Sequence, residues 1–133
     1  MNIESIKSFP ATLDEALDDL IMFFSREIDL IKKVEEEYFT GTSHFGLGTF
    51  IRNTWFLWWY EDSGYAEWPD EKPELNKWFE SIGIVHPDDM SGIILTSFYR
   101  KIKGIPIDLN CQIKRYQEHW KNNGFPDGIP KKP

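Results

Sequence analysis

Cysteine is nearly absent: Cys111 is the only one among 133 residues. That excludes an internal disulfide and fits a reducing compartment. Long apolar runs are missing too, since the most strongly apolar stretch, Trp55 to Tyr60, is far shorter than the roughly 20 residues a bilayer requires. The start, Met1-Asn2-Ile3-Glu4-Ser5-Ile6-Lys7, has neither the basic opening nor the apolar core of a secretory signal. A cytoplasmic protein with no membrane partner is therefore expected. Histidine is sparse: His44, His86 and His119 form no four-apart helical pair, and one thiol makes no cluster, so no metal or other cofactor is expected. Gly46-x-Gly48 lacks the third glycine, the preceding strand and the later acid of a dinucleotide turn. Ser43 and His44 are sequence neighbours, a placement that rarely lets a nucleophile face its base. No catalytic set emerges, and the expectation is a protein that is not an enzyme.

What is present points to a folded domain. The chain is 41% hydrophobic and 16% aromatic, too apolar for disorder. At this length one domain can bury about 68% of its unfolded surface. The formal charge is -7 and it is unevenly spread. Residues 1–38 carry a net -6, residues 39–85 a net -4 and residues 86–133 a net +3. The acidic two-thirds repels phosphate, which argues against nucleic acid. It attracts a basic protein and speeds encounter at low salt. The plainer alternative is that the acids only keep the protein soluble.

Helical periodicity runs through the chain. Thr12 and Glu15 have capping-box spacing, followed by a core stripe of Leu13, Leu17, Leu20 and Phe24. Asp14, Glu15, Asp18 and Asp19 fall on the opposite arc. A second helix is expected through Ile28, Ile31, Val34 and Tyr38 to Gly41, with Lys32–Glu36 and Lys33–Glu37 as four-apart pairs. A third, capped by Thr42 or Ser43, is expected over residues 44–58, apolar around its whole circumference and so central to the domain. Residues 59–73 read as a long loop. Pro73 opens a short helix closed by Gly83, and Pro87 opens another that stops at Gly104. A sixth begins near Asp108 and ends at Gly124. No run of alternating strands is visible. The expected fold is all-α, one compact domain of about six helices over residues 1–124, followed by a Pro/Gly-rich tail over 125–133.

Two groups of residues are candidates for function. Arg52, on a largely buried helix, requires a partner, because an isolated buried charge costs several kcal/mol, roughly. Asp88 and Asp89 are the natural partners. With His44 and His86 they form either a structural polar network or a pocket for a small anion. The second group is a partner-binding surface: Asp14, Asp18 and the run Glu35, Glu36 and Glu37, together with Trp59, Glu61, Asp62, Tyr65, Glu67 and Trp68 in the acidic loop. Aromatic anchors ringed by charge are typical of binding hot spots, although the same rings can fold back over the core.

Two stretches carry a resemblance: His44-Phe45-Gly46-Leu47-Gly48-Thr49-Phe50-Ile51-Arg52-Asn53 with Trp55, and His86-Pro87-Asp88-Asp89-Met90-Ser91-Gly92-Ile93-Ile94-Leu95-Thr96-Ser97-Phe98. Together they resemble a family of small bacterial proteins of unknown function, over about residues 10–121. The resemblance implies no catalytic residue and no ligand. The overall profile (small, acidic, all-α) is similar to that of contact-dependent growth inhibition immunity proteins. By that analogy the chain is expected to bind and neutralise a basic toxin domain, such as a nuclease. The alternatives are another protein-interaction or regulatory module, or a small-anion binder or enzyme using His44, Arg52 and His86.

Overall fold

The computed structural model describes residues 10–55, 57 and 72–124. Among them the chain forms seven helices and no strand: α1 (Leu13–Phe23), α2 (Ile28–Ile31), α3 (Glu36–Ser43), α4 (Leu47–Thr54), α5 (Glu74–Ser81), α6 (Pro87–Lys103) and α7 (Leu109–Asn122). The all-α reading holds. The 125–133 tail and most of the 59–73 loop lie outside the described residues.

α1 begins as its sequence predicts. The Glu15 amide donates to the Thr12 hydroxyl at 3.1 Å. The return bond reaches one residue further than a standard capping box, the Ala11 amide donating to Glu15 Oε2 at 2.7 Å. Leu13, Ala16, Leu17 and Leu20 are buried, all on one stripe. The acids opposite them stay at the surface because 100° steps separate the two sets.

The expected second helix is two helices. The chain leaves α2 at Lys32 and re-enters helix at Glu36 through an extended Glu35 (φ −75°, ψ 153°). Two carbonyls freed at the break are taken by α6: the Tyr99 hydroxyl donates to Val34 O at 2.5 Å, and Lys103 Nζ donates to Lys32 O at 3.0 Å. Tertiary bonds thus override a helical pattern whose local pairs offer only about 0.2–0.5 kcal/mol each. The proposed Lys32–Glu36 pair is replaced by Arg100 with Glu36.

The third expected helix is also shorter. Thr42 and Ser43 belong to α3, where the Thr42 hydroxyl donates back to Tyr38 O at 2.7 Å. Gly46 is the N-cap of α4 instead. Phe45, assigned to the core by periodicity, is 83% exposed. The central helix is α6, which packs against α1, α3, α4 and α7. Its buried set, Pro87, Asp89, Met90, Ser91, Ile93, Ile94, Leu95, Ser97, Phe98 and Tyr99, surrounds most of its circumference. Both ends follow the sequence rules: Pro87 in the first turn and Gly104 as a left-handed cap (φ +72°).

Candidate functional site

Packing of α4 on α6 carries Arg52 to the first turn of α6. Arg52 is 5% exposed, and its guanidinium is surrounded by oxygen. Nη1 donates to the Ser91 hydroxyl at 2.7 Å. Nη2 donates to His44 O and to the Thr49 hydroxyl, both at 3.0 Å. Nε stands 3.4 Å from Asp88 Oδ1. Ser91 passes the interaction on, donating to Asp88 O at 3.1 Å. Gly48 makes room: a Cβ there would stand 2.9 Å from Arg52 Nη1 and 3.3 Å from Ser43 O.

His86 is the N-cap of α6. Its Nδ1 accepts from the Asp88 amide at 3.0 Å, and its ring stacks on Trp120 at 6.2 Å between centroids. His44 joins the cluster through its carbonyl, while its ring meets Phe45 edge-on at 4.8 Å. Arg52, Asp88 and His86 are therefore brought together, and the His44 imidazole is engaged elsewhere. An anion approaching Arg52 would have to displace the Asp88 carboxylate and compete with three other oxygens. The arrangement suits a fastening between α4 and α6.

Asp89 does not share this work. One residue further along the helix turns it about 100° away, where Oδ2 accepts from Trp120 Nε1 at 2.7 Å. Of the two expected partners of Arg52, Asp88 alone fills that role, and Asp89 secures α7. Burial pushes the Asp89 carboxyl above its ordinary 3.8; Asp88 adds to the rise, while the Trp120 bond, His86 and His119 oppose it. Beside it, the Tyr116 hydroxyl occupies the space a Cβ on Gly92 would need. Burial and the nearby Asp89 raise the Tyr116 pKa, against a smaller pull from Arg115.

The acidic candidates fall on two helices. Asp14, Glu15 and Asp18 are exposed along α1. Asp19 beside them is pushed up by partial burial and then by the charges of Glu15 and Asp18, a sign of carboxylates crowded on one face. Asp18 also meets Lys101 Nζ at 2.9 Å. On α3 the glutamate run divides. Glu35 and Glu37 are exposed, whereas Glu36 turns to α6 and grips Arg100 bidentately, Oε1 to Nε at 2.6 Å and Oε2 to Nη2 at 3.2 Å. Trp59, Glu61, Asp62, Tyr65, Glu67 and Trp68 lie outside the described residues.

Next to that pair is an open groove of about 430 Å³, bounded by Glu35, Glu36, Tyr99, Arg100, Lys103, Ile105, Pro106 and Asp108. Arg100 is held further by its Nη1, which donates to Ile107 O at 2.7 Å. Its pKa is raised mainly by the Glu36 bond, with burial opposing. Asp108 sits in left-handed backbone (φ 50°, ψ 51°) as the N-cap of α7, with no side-chain capping bond. Among the described residues no group of three His, Cys, Asp or Glu could hold a metal ion. Nor is any of their helices long and apolar enough to cross a membrane.

Sequence reasoning missed Ser91 and Thr49 as acceptors for Arg52, and missed Arg100 and Lys101 as cations set against the acidic helices. The positive balance of residues 86–133 was the available signal, because it concentrates three cations in the last turn of α6.

Residues 9–102 match the family described as "Domain of unknown function (DUF6794)", and the chain belongs to that family. The matched stretch holds both motif regions and runs through most of α6, leaving α7 outside it. No curated protein and no solved structure matches the chain.

Proposed function

We propose that this chain acts by binding a basic protein, as an immunity protein that neutralises a toxin domain by covering it. The supporting observation is the crowded carboxylate face of α1, where Asp14, Glu15 and Asp18 are exposed and Asp19 is held up partly by its like-charged neighbours. Such a face focuses a negative field outward and accelerates encounter with a cationic surface. Glu35 and Glu37, at the start of α3, add two further exposed carboxylates. Large apolar side chains are also exposed, Met22 at 68%, Tyr38 at 63% and Phe45 at 83%, and side chains of this kind slow dissociation once desolvated in an interface. The saturated hydrogen bonding of Arg52 favours this reading over a small-anion pocket.

The test is co-expression of the full chain with a toxic basic domain encoded beside it, scoring growth and co-purification. Rescue with a stable complex is the expected result. In the purified complex, replacing Asp14, Glu35 and Glu37 by lysine should lower the association rate by about tenfold at low salt and flatten its salt dependence. Rescue by the variant at the wild-type rate would move the interface off these helices. A complex with a non-toxic basic partner would make the chain an interaction module of another kind.

A further inference from the structure

The groove between α3 and the C-terminal end of α6 has a charge pattern with a specific consequence. Its two cations are already committed. Arg100 spends three nitrogens on Glu36 and on the Ile107 carbonyl. Lys103 donates to Lys32 O and lies over the Tyr99 ring, 5.8 Å from its centroid. An anion entering here would meet committed cations and the carboxylates of Glu35 and Asp108. Both carboxylates are exposed, and neither makes a capping bond at the helix it precedes. The same lining includes apolar surface, Ile105, which is 44% exposed, and Pro106 next to it in sequence. A long aliphatic stem ending in a cation fits both parts: the stem lies on Ile105 and Pro106 while the charged head meets the carboxylates.

We propose that this groove is the subsite in which a basic protein partner places an arginine or lysine side chain, between Glu35 and Asp108 and over Ile105. The proposal rests on the binding of a basic protein argued above, and it gives that surface a defined pocket in addition to a field. The groove is continuous with the acidic run on α3 because Glu35 and Glu36 belong to both. The Glu36–Arg100 pair shows in the molecule itself how a guanidinium is read at this place.

The experiment is a ¹⁵N NMR titration of the full chain with N-acetyl-arginine amide, with the uncharged citrulline analogue as control. Saturable shifts at residues 35–36 and 99–108 are expected from the arginine probe and none from citrulline. The Glu35→Gln/Asp108→Asn double variant should bind the probe about fivefold more weakly. Its fold should survive, because asparagine tolerates left-handed backbone as aspartate does and neither side chain caps a helix. Equal shifts with citrulline, equal affinity in the variant, or shifts spread over the α1 acids would each overturn the subsite. Complex formation with the toxic domain is scored separately. A complex left unchanged by the double variant overturns the subsite and keeps the immunity reading. Arginine bound in the groove without any such complex keeps the subsite and removes that reading.

Discussion

Replacing Arg52 by methionine removes the fastening between α4 and α6 while keeping much of the buried volume. The cost follows from its partners. Among the described residues three donor bonds disappear, to Ser91 Oγ, His44 O and Thr49 Oγ1, and hydrogen bonds to a charged group contribute about 1.5–3 kcal/mol each, net. They are not additive, and Ser91 keeps its bond to Asp88 O. Methionine also recovers some apolar burial. A net loss of about 2–4 kcal/mol is expected, toward the lower end of the range for breaking a buried pair.

Asp88→Asn makes the complementary measurement. The Asp88 side chain is 41% exposed and stands 3.4 Å from Nε, so water already screens it and the loss should be below about 1 kcal/mol. Urea denaturation of both variants gives the comparison directly. In a domain of this size each kcal/mol moves the melting temperature by about 3–4 °C, so Arg52→Met should melt roughly 6–16 °C below wild type. If Arg52→Met is neutral, or if Asp88→Asn costs as much, the guanidinium is not acting as a fastening and the anion-pocket reading returns.

Two further substitutions probe the attachment of α7. Gly92→Ala would gain about 0.5–1 kcal/mol of helix propensity but forces the Tyr116 hydroxyl aside, so a net loss of about 1–2 kcal/mol is expected from overpacking. Faster amide exchange should be confined to α7, and adding Tyr116→Phe should restore it. Asp89→Asn tests pH dependence. The folded-state pKa of Asp89 is raised above 3.8, so its contribution to stability is full below that value and is lost as pH rises through the raised pKa. Asparagine has no such loss, and the stability of the variant relative to wild type should increase with pH from about 4 upward until a plateau. A relative stability that is flat or falls over that interval would contradict the assigned environment.

The sequence rules succeeded at several positions where structure is set locally, though not at Thr42 and Ser43, which lie inside α3. Thr12, Pro87, Gly83 and Gly104 act within a turn of where they stand, and helix starts and stops at these positions were legible. They failed where distant groups decide. Nothing near Val34 announces that Tyr99 will take its carbonyl, so one helix was expected where α2 and α3 form two. Periodicity also chose the wrong centre: residues 44–58 are apolar around a helix, yet Phe45 points to solvent and α6 supplies the hub. At the candidate site, the need of Arg52 for a partner was readable from burial alone. The division of labour between Asp88 and Asp89 was not, because it depends on where α7 lands.

The placement of charge along α6 changes how the acidity of the whole chain is to be understood. A helix of 17 residues starts with Asp88 and Asp89 and ends with Arg100, Lys101 and Lys103, an order that complements its dipole at both ends. The basic end does more than stabilise its own last turn. Arg100 reaches Glu36 on α3, and Lys101 reaches Asp18 on α1, so these two cations of the C-terminal third are used inside the molecule against acids of the N-terminal third. Among the described residues, exposed acids that make no such ion pair include Asp14 on α1, Glu35 and Glu37 at the start of α3, and Asp108 at the groove, the last still within the field of Arg100. If a basic protein is the partner, specificity should follow these carboxylates more closely than the total charge of -7. Neutralising Asp14 and Glu37 should therefore slow association more than neutralising Asp18, whose charge is already shared with Lys101.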